Sequence, residues 1–192
     1  MNTKMDESYL FKIVIGGQGA VGKTTLLHRY LNGTFLQNST MTIGVAFHVK
    51  DMHFESLQKK IKLALWDLGG QERFRFLQAN YSAGAKAAVV FFDMSRIGTI
   101  MQVKDWVKMF RAHATDDIPI VLGGTKLDLV PPDQLEDIHQ LARDTAAELG
   151  LDCYVPTSSK TGENVEDIFK YLTDTLVVQC QDARTGVTAV VL

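Results

Sequence analysis

Leu10-Phe11-Lys12-Ile13-Val14-Ile15-Gly16-Gly17-Gln18-Gly19-Ala20-Val21-Gly22-Lys23-Thr24-Thr25-Leu26-Leu27 is the stretch that decides the fold. Its apolar run, 10–15, stops at glycines, as a buried strand does. Residues 22–31 then carry apolar side chains at helical spacing, with Leu26, Leu27, Tyr30 and Leu31 on one side. Between them, Gly17 to Thr24 fits G-x-x-x-x-G-K-[ST] in the strand–turn–helix context that this pattern requires. Glycines let successive backbone N–H groups turn inward around phosphate oxygens, and the helix N-terminus adds positive potential. Lys23 is then expected to neutralise β- and γ-phosphates, and the Thr24 hydroxyl to hold Mg²⁺.

Working outward, short β-branched runs alternate with longer helical repeats. Strands are expected at 10–15, 43–53, 59–66, 85–92, 118–122 and 153–156. Residues 34–42 are polar and aperiodic, hence a loop. Helical ranges are clear at 22–31, 97–110, 131–149 and 163–178. The third starts at Pro131-Pro132 and ends at Gly150, with Leu135, Ile138, Leu141, Ala142, Thr145 and Leu149 on one stripe. Six strands interleaved with five helices predict an α/β fold: a single P-loop NTPase domain with a six-stranded, mostly parallel sheet and helices on both faces.

Composition agrees and excludes alternatives. The chain has 192 residues, 46% of them apolar, enough for one large domain. Twenty basic against 22 acidic residues leave a net charge of −2, without the field for nucleic acid or an anionic membrane. Two cysteines, Cys153 and Cys180, make no disulfide framework, which points to a reducing compartment. Of 15 glycines, eight fall in three clusters, at 16–22, 69–70 and 123–124. The five histidines show no metal-ligand spacing.

Ligands of doubly wound sheets sit at the carboxyl ends of strands, so chemistry is sought there. Leu65-Trp66-Asp67-Leu68-Gly69-Gly70-Gln71 follows one strand. Asp67 suits a second Mg²⁺ contact, through water, Gly70 brings a backbone N–H close to a γ-phosphate, and Gln71 would orient an attacking water. Gly124-Thr125-Lys126-Leu127-Asp128 follows another. The Asp128 carboxylate would accept from N1–H and the exocyclic amine of guanine, a pair of donors that adenine lacks. The Lys126 stem would cover one face of the base. In Thr157-Ser158-Ser159-Lys160, the Ser159 N–H would meet guanine O6 and Lys160 the opposite face. Gly123-Gly124 is expected to let its strand end approach the nucleotide.

These motifs, in this order, resemble those of a Ras-superfamily small GTPase over about residues 9–178. Ile43-Gly44-Val45-Ala46-Phe47, Gln71-Glu72-Arg73-Phe74-Arg75 and Tyr81-Ser82-Ala83-Gly84-Ala85 are most similar to the Rab branch. The Thr125-Lys126-Leu127-Asp128 wording is similar to Rho proteins, and Leu68-Gly69-Gly70 to Arf-type proteins. The resemblance implies guanine-nucleotide contacts at Gly17, Gly19, Ala20, Val21, Gly22, Lys23, Thr24, Thr25, Phe35, Thr42, Gly70, Thr125, Lys126, Asp128, Ser158, Ser159 and Lys160. It implies Mg²⁺ at Thr24, Thr42 and, through water, Asp67, and catalysis by Gln71, Lys23 and Thr42. Phe35 matches the aromatic that packs edge-on to guanine; a small anchor under its loop is the other reading. Ser39 and Met41 stand where Ras proteins have tyrosine and proline, which suggests looser closure of switch I. Phe47, Trp66 and Phe74 match an effector patch, or are ordinary sheet packing.

The expected cofactors are Mg²⁺ and GTP/GDP. The expected partners are an exchange factor (GEF), an activating protein (GAP) and effectors that read switch I and switch II. Switch I holds no arginine, so hydrolysis should be slow until a partner supplies one. The other reading is a nucleotide-loaded interaction module with little turnover; an ATP-using kinase is disfavoured by Asp128. Residues 1–8 are expected as a flexible N-terminus, 9–179 as the domain and 180–192 as a tail without a prenylation signal. No basic cluster or other membrane anchor is seen, so a cytoplasmic protein, recruited to membranes only through a partner, is expected.

Overall fold

Strand β1, Ser8–Gly17, sends alternate side chains to opposite faces of a sheet: Phe11, Ile13 and Ile15 into one apolar cluster, Val14 into the other. Strand β4, Ala87–Asp93, does the same with Ala87, Val89 and Phe91 against Ala88, Val90 and Phe92. Strands buried on both faces read as continuous apolar runs, because helices cover both sides of a parallel sheet. The structure, a computed structural model, describes residues 8–38, 40–54, 59–114 and 117–185.

The remaining strands are β2 (Val45–Phe54), β3 (Lys59–Leu68), β5 (Ile120–Thr125) and β6 (Cys153–Pro156). The sheet runs β2-β3-β1-β4-β5-β6. Only β2 and β3 are antiparallel, so the six-stranded, mostly parallel sheet read from the sequence is the one observed. Helices α1 (Lys23–Asn32) and α5 (Val165–Thr185) fill one cluster; α3 (Val103–His113) and α4 (Leu135–Glu148) fill the other. Helix α2, Arg75–Ser82, is the fifth helix, for which the pattern offered no range; its Ser82 hydroxyl lies 3.3 Å from Met109 Sδ on α3. Strand order reverses beside β1, whose carboxyl end becomes the switch point where a ligand fits.

Several boundaries differ from the sequence reading, each for a local reason. Gly44, at φ +74°, holds β2 back to Val45 rather than 43. The 97–110 repeat divides into a 3₁₀ segment, Ile97–Gln102, and α3. Pro131-Pro132 forms a turn closed by Gln134 N–H to Pro131 O at 3.0 Å, and α4 starts only at Leu135. On α4 the buried line is Ile138, Ala142 and Ala146; Leu141 is exposed and Thr145 bonds back to the Leu141 carbonyl. Helix α5 continues past 178 to Thr185, and Cys180 packs against the core instead of standing in a tail. Ser39, residues 1–7 and residues 186–192 lie outside the described residues.

Candidate functional site

The loop joining β1 to α1 owes its shape to backbone that most residues avoid. Gly17 has φ +132°, Ala20 +62° and Gly22 +101°. A Cβ at Gly17 would also collide with the Phe91 carbonyl. Across this loop lies Lys23, 5% exposed, its Nζ donating to Gly17 O at 2.8 Å and Gln18 O at 3.1 Å. Burial lowers its ammonium to about 8, against the pull of Asp67. Val21 puts its side chain in the core and offers only backbone; its carbonyl accepts from the Thr125 hydroxyl at 2.5 Å.

Oxygen donors converge beside Lys23. Thr24 Oγ1 lies 2.6 Å from Thr42 Oγ1 and donates to Asp67 Oδ2, and Thr42 Oγ1 approaches the same carboxylate oxygen at 3.4 Å. Asp67 is fully buried, and its Oδ1 has no hydrogen-bond partner among the described residues. Burial pushes Asp67 above the ordinary carboxylate range, opposed by the Thr24 hydroxyl, Lys23, His48 and Thr42. Two hydroxyls and a carboxylate with an orphaned buried oxygen form a hard-oxygen set that fits a divalent cation such as Mg²⁺.

The loop after β3 closes over this set. A Cβ at Gly70 would meet the backbone of Gly17, Gln18 and Gly19, so only glycine fits that approach. Gly69 N–H donates to Gly44 O at 2.8 Å, tying the segment before β2 to the segment after β3. The buried Gln78 side chain donates to Gly69 O at 2.6 Å from α2. Gln71 reaches Met41 Sδ at 3.5 Å. Gly19, Ala20, Gly22, Lys23, Thr24, Thr25, Thr42, Gly70, Gln71 and Lys126 line one cleft, together with Thr40 and Met41.

Next to Lys126, Thr125 is buried and ties β5 to the loop through Val21 O and to β4 through Phe92 O, the latter at 3.0 Å. Its side chain therefore holds structure rather than facing a base. Asp128 Oδ1 accepts from the Ser158 hydroxyl at 2.6 Å, and Leu127 N–H, in the turn after β5, donates to Thr157 O at 3.0 Å. These bonds bring together the two segments expected to read a base. Ser158 and Ser159 are buried; Lys160 is exposed. Phe35 is 38% exposed and belongs to neither apolar cluster, which removes the reading of a core anchor. The third glycine pair makes room for neighbouring side chains. A Cβ at Gly123 would strike the Phe91 ring, and one at Gly124 would meet Met94 and Tyr154.

Asp93 was not singled out from sequence, although it ends β4 as Asp67 nears the end of β3. It is buried and binds Lys126 Nζ at 2.6 Å and Arg96 Nε at 2.8 Å. Burial raises its carboxyl, but the hydrogen bonds from Lys126, Ser95 and Arg96 outweigh this and leave it below the ordinary range. Gln78 left no signal, since a glutamine on a short polar helix looks like any surface residue. Of the three aromatics expected as an effector patch, two pack together and the third does not. Trp66 packs between Phe47 and Tyr81, with ring centroids 4.9 and 5.2 Å away, and Lys12 caps it; Phe74 instead pairs with Arg73. Among the described residues no cluster of metal-binding His, Cys, Asp and Glu occurs, and no helix is long and apolar enough to cross a membrane.

Comparison with known proteins matches the Ras family to residues 12–178. The Ras-related protein RABA4b of Arabidopsis thaliana is 38% identical over 164 residues, 85% of this chain and 71% of that protein. The Ras-related protein Rab-19 of Homo sapiens is 32% identical over 174 residues, 89% of this chain and 77% of that protein. The Ras-related protein Rab-8B of Homo sapiens is 32% identical over 164 residues, with 84% and 75% covered.

Proposed function

The chain belongs to the Ras family, as a GTP-hydrolysing small GTPase of the Rab branch, and from that premise we propose how its residues carry out the switch. The observation that carries the reading is the convergence of Thr24, Thr42 and Asp67 oxygens beside Lys23, with Asp67 Oδ1 left without a partner among the described residues. Thr24 and Thr42 would hold Mg²⁺ directly and Asp67 through water. Bound there, Mg²⁺ would neutralise charge on the phosphate oxygens.

The chain's own groups do the rest. Backbone N–H groups of residues 19–25 face the phosphates, and Lys23, held over the loop, adds a cation where charge develops. Gln71 orients water for in-line attack, with no covalent step on the protein. Asp128, positioned by Ser158, accepts from the guanine edge, while the Lys126 stem and Lys160 flank the base. Phe35 would pack edge-on to it. Thr42 and Gly70 respond to the γ-phosphate, so its loss frees both loops and gives effectors two states to read. With no arginine in residues 34–42, intrinsic turnover is slow and a partner's arginine accelerates it. Exchange factors and effectors are the other partners this switch needs.

Competition for a fluorescent GDP analogue tests the reading. GTP and GDP should displace it, ATP at equal concentration should not, and Asp128→Asn should transfer preference to xanthine nucleotides. Single-turnover hydrolysis should be lost in Gln71→Leu with binding retained. Equal competition by ATP would overturn guanine specificity; unchanged hydrolysis in Gln71→Leu would remove its role.

A further inference from the structure

Ala20 is the phosphate-loop residue whose conformation has no local explanation. It stands at φ +62°, in the left-handed region that a Cβ disfavours. Its methyl group is exposed, so no core packing holds it there. What does hold it is its carbonyl, which accepts from Arg96 Nη2 at 2.8 Å and, more loosely, from Lys126 Nζ at 3.3 Å.

Arg96 is itself fixed before it reaches the loop. Its Nε donates to the buried Asp93 carboxylate at 2.8 Å. Its backbone N–H donates to Asp93 O at 3.0 Å, and its carbonyl accepts from both Thr99 N–H and the Thr99 hydroxyl at 2.9 Å. The Thr99 hydroxyl in turn accepts from Asp93 N–H at 2.9 Å. Arg96 reaches its two acceptors with separate N–H groups of a rigid guanidinium fork, whereas Lys126 reaches the same two from one ammonium and bonds the loop carbonyl more loosely. Asp93 is thus shared by two cations that both end on the same loop carbonyl.

Resting on the nucleotide-binding reading above, we propose that Arg96 is a positioning residue for nucleotide retention. It holds Ala20 in the left-handed conformation that points the loop's amides at the phosphates, and so slows release of GDP. The strain at Ala20 makes this separable from a general structural role. Glycine enters the left-handed region without penalty, so a loop with glycine at position 20 needs the clamp less.

The test is the rate of fluorescent-GDP release from the full chain with Mg²⁺, in a double-mutant cycle. Losing a charge-assisted hydrogen bond at this half-exposed site should speed release about tenfold in Arg96→Ala. Arg96→Lys should recover part of that. In the Ala20→Gly background, Arg96→Ala should change release less than about threefold, because the strain it opposes is gone. Equal effects in both backgrounds, or none in either, would overturn the proposal. Failure of the unaltered chain to bind the probe would instead overturn the nucleotide-binding reading.

Discussion

A methyl group at Gly70 would press on the backbone of Gly17, Gln18 and Gly19 together, and none of these can rotate away as a side chain tip does. The loop after β3 would have to lift by a fraction of an ångström or more, carrying Gln71 with it. Misplacement on that scale costs catalysis about a hundredfold, whereas the GDP contacts proposed for Lys23, Thr24 and Asp128 lie elsewhere. Gly70→Ala is therefore expected to lose about a hundredfold in single-turnover GTP hydrolysis, with GDP affinity changed by less than about threefold. Comparable losses in both measurements would place the role of Gly70 in general loop integrity instead. At this scale Thr24, Asp67 and Asp128 were legible because each belongs to a spaced motif whose chemistry is known. Asp93 and Gln78 were not, because their roles rest on partners 33 and 9 residues away along the chain, which no local pattern encodes.

At the scale of elements, strand positions were legible because burial on both faces writes itself as an apolar run, as in the Ala87-Ala88-Val89-Val90-Phe91-Phe92 of β4. Helix α4 was harder. Its Leu141 and Thr145 continue an apolar-looking stripe, yet the tighter i, i+4, i+8 line of Ile138, Ala142 and Ala146 faces the sheet. Small residues on that line let the helix approach closely, which a hydrophobicity pattern undervalues. Gly123 gives the same lesson in a strand: its missing side chain makes room for Phe91 on the neighbouring strand. Gly123→Ala should overpack this contact and cost about 1–3 kcal/mol in urea unfolding, part of which Phe91→Leu should restore in the double variant. Simple addition of the two single losses would show that the contact is not what position 123 senses.

For the whole molecule, the site is assembled from parts that the chain brings together only when folded. The phosphate loop follows β1, Asp67 to Gln71 run off the end of β3, Asp93 ends β4 with Arg96 just beyond, and Lys126 and Asp128 follow β5, all at the carboxyl ends of the parallel strands. Helices from both faces border this end, since α1 fills one cluster and α3 the other. A ligand that spans these segments binds the folded chain and not the unfolded one, so it must stabilise folding. At a hundred times its dissociation constant the gain is about 2.7 kcal/mol. For a chain of this size that raises the thermal midpoint by roughly 5–10 °C. Calorimetry with Mg²⁺-GDP should show this shift, EDTA should remove much of it, and Mg²⁺-ATP at the same concentration should leave the midpoint near that of the free protein. Were ATP to stabilise as strongly as GDP, the stabilising contacts would belong to the phosphate loop alone, and Asp128 and Ser158 would have no part in choosing the base.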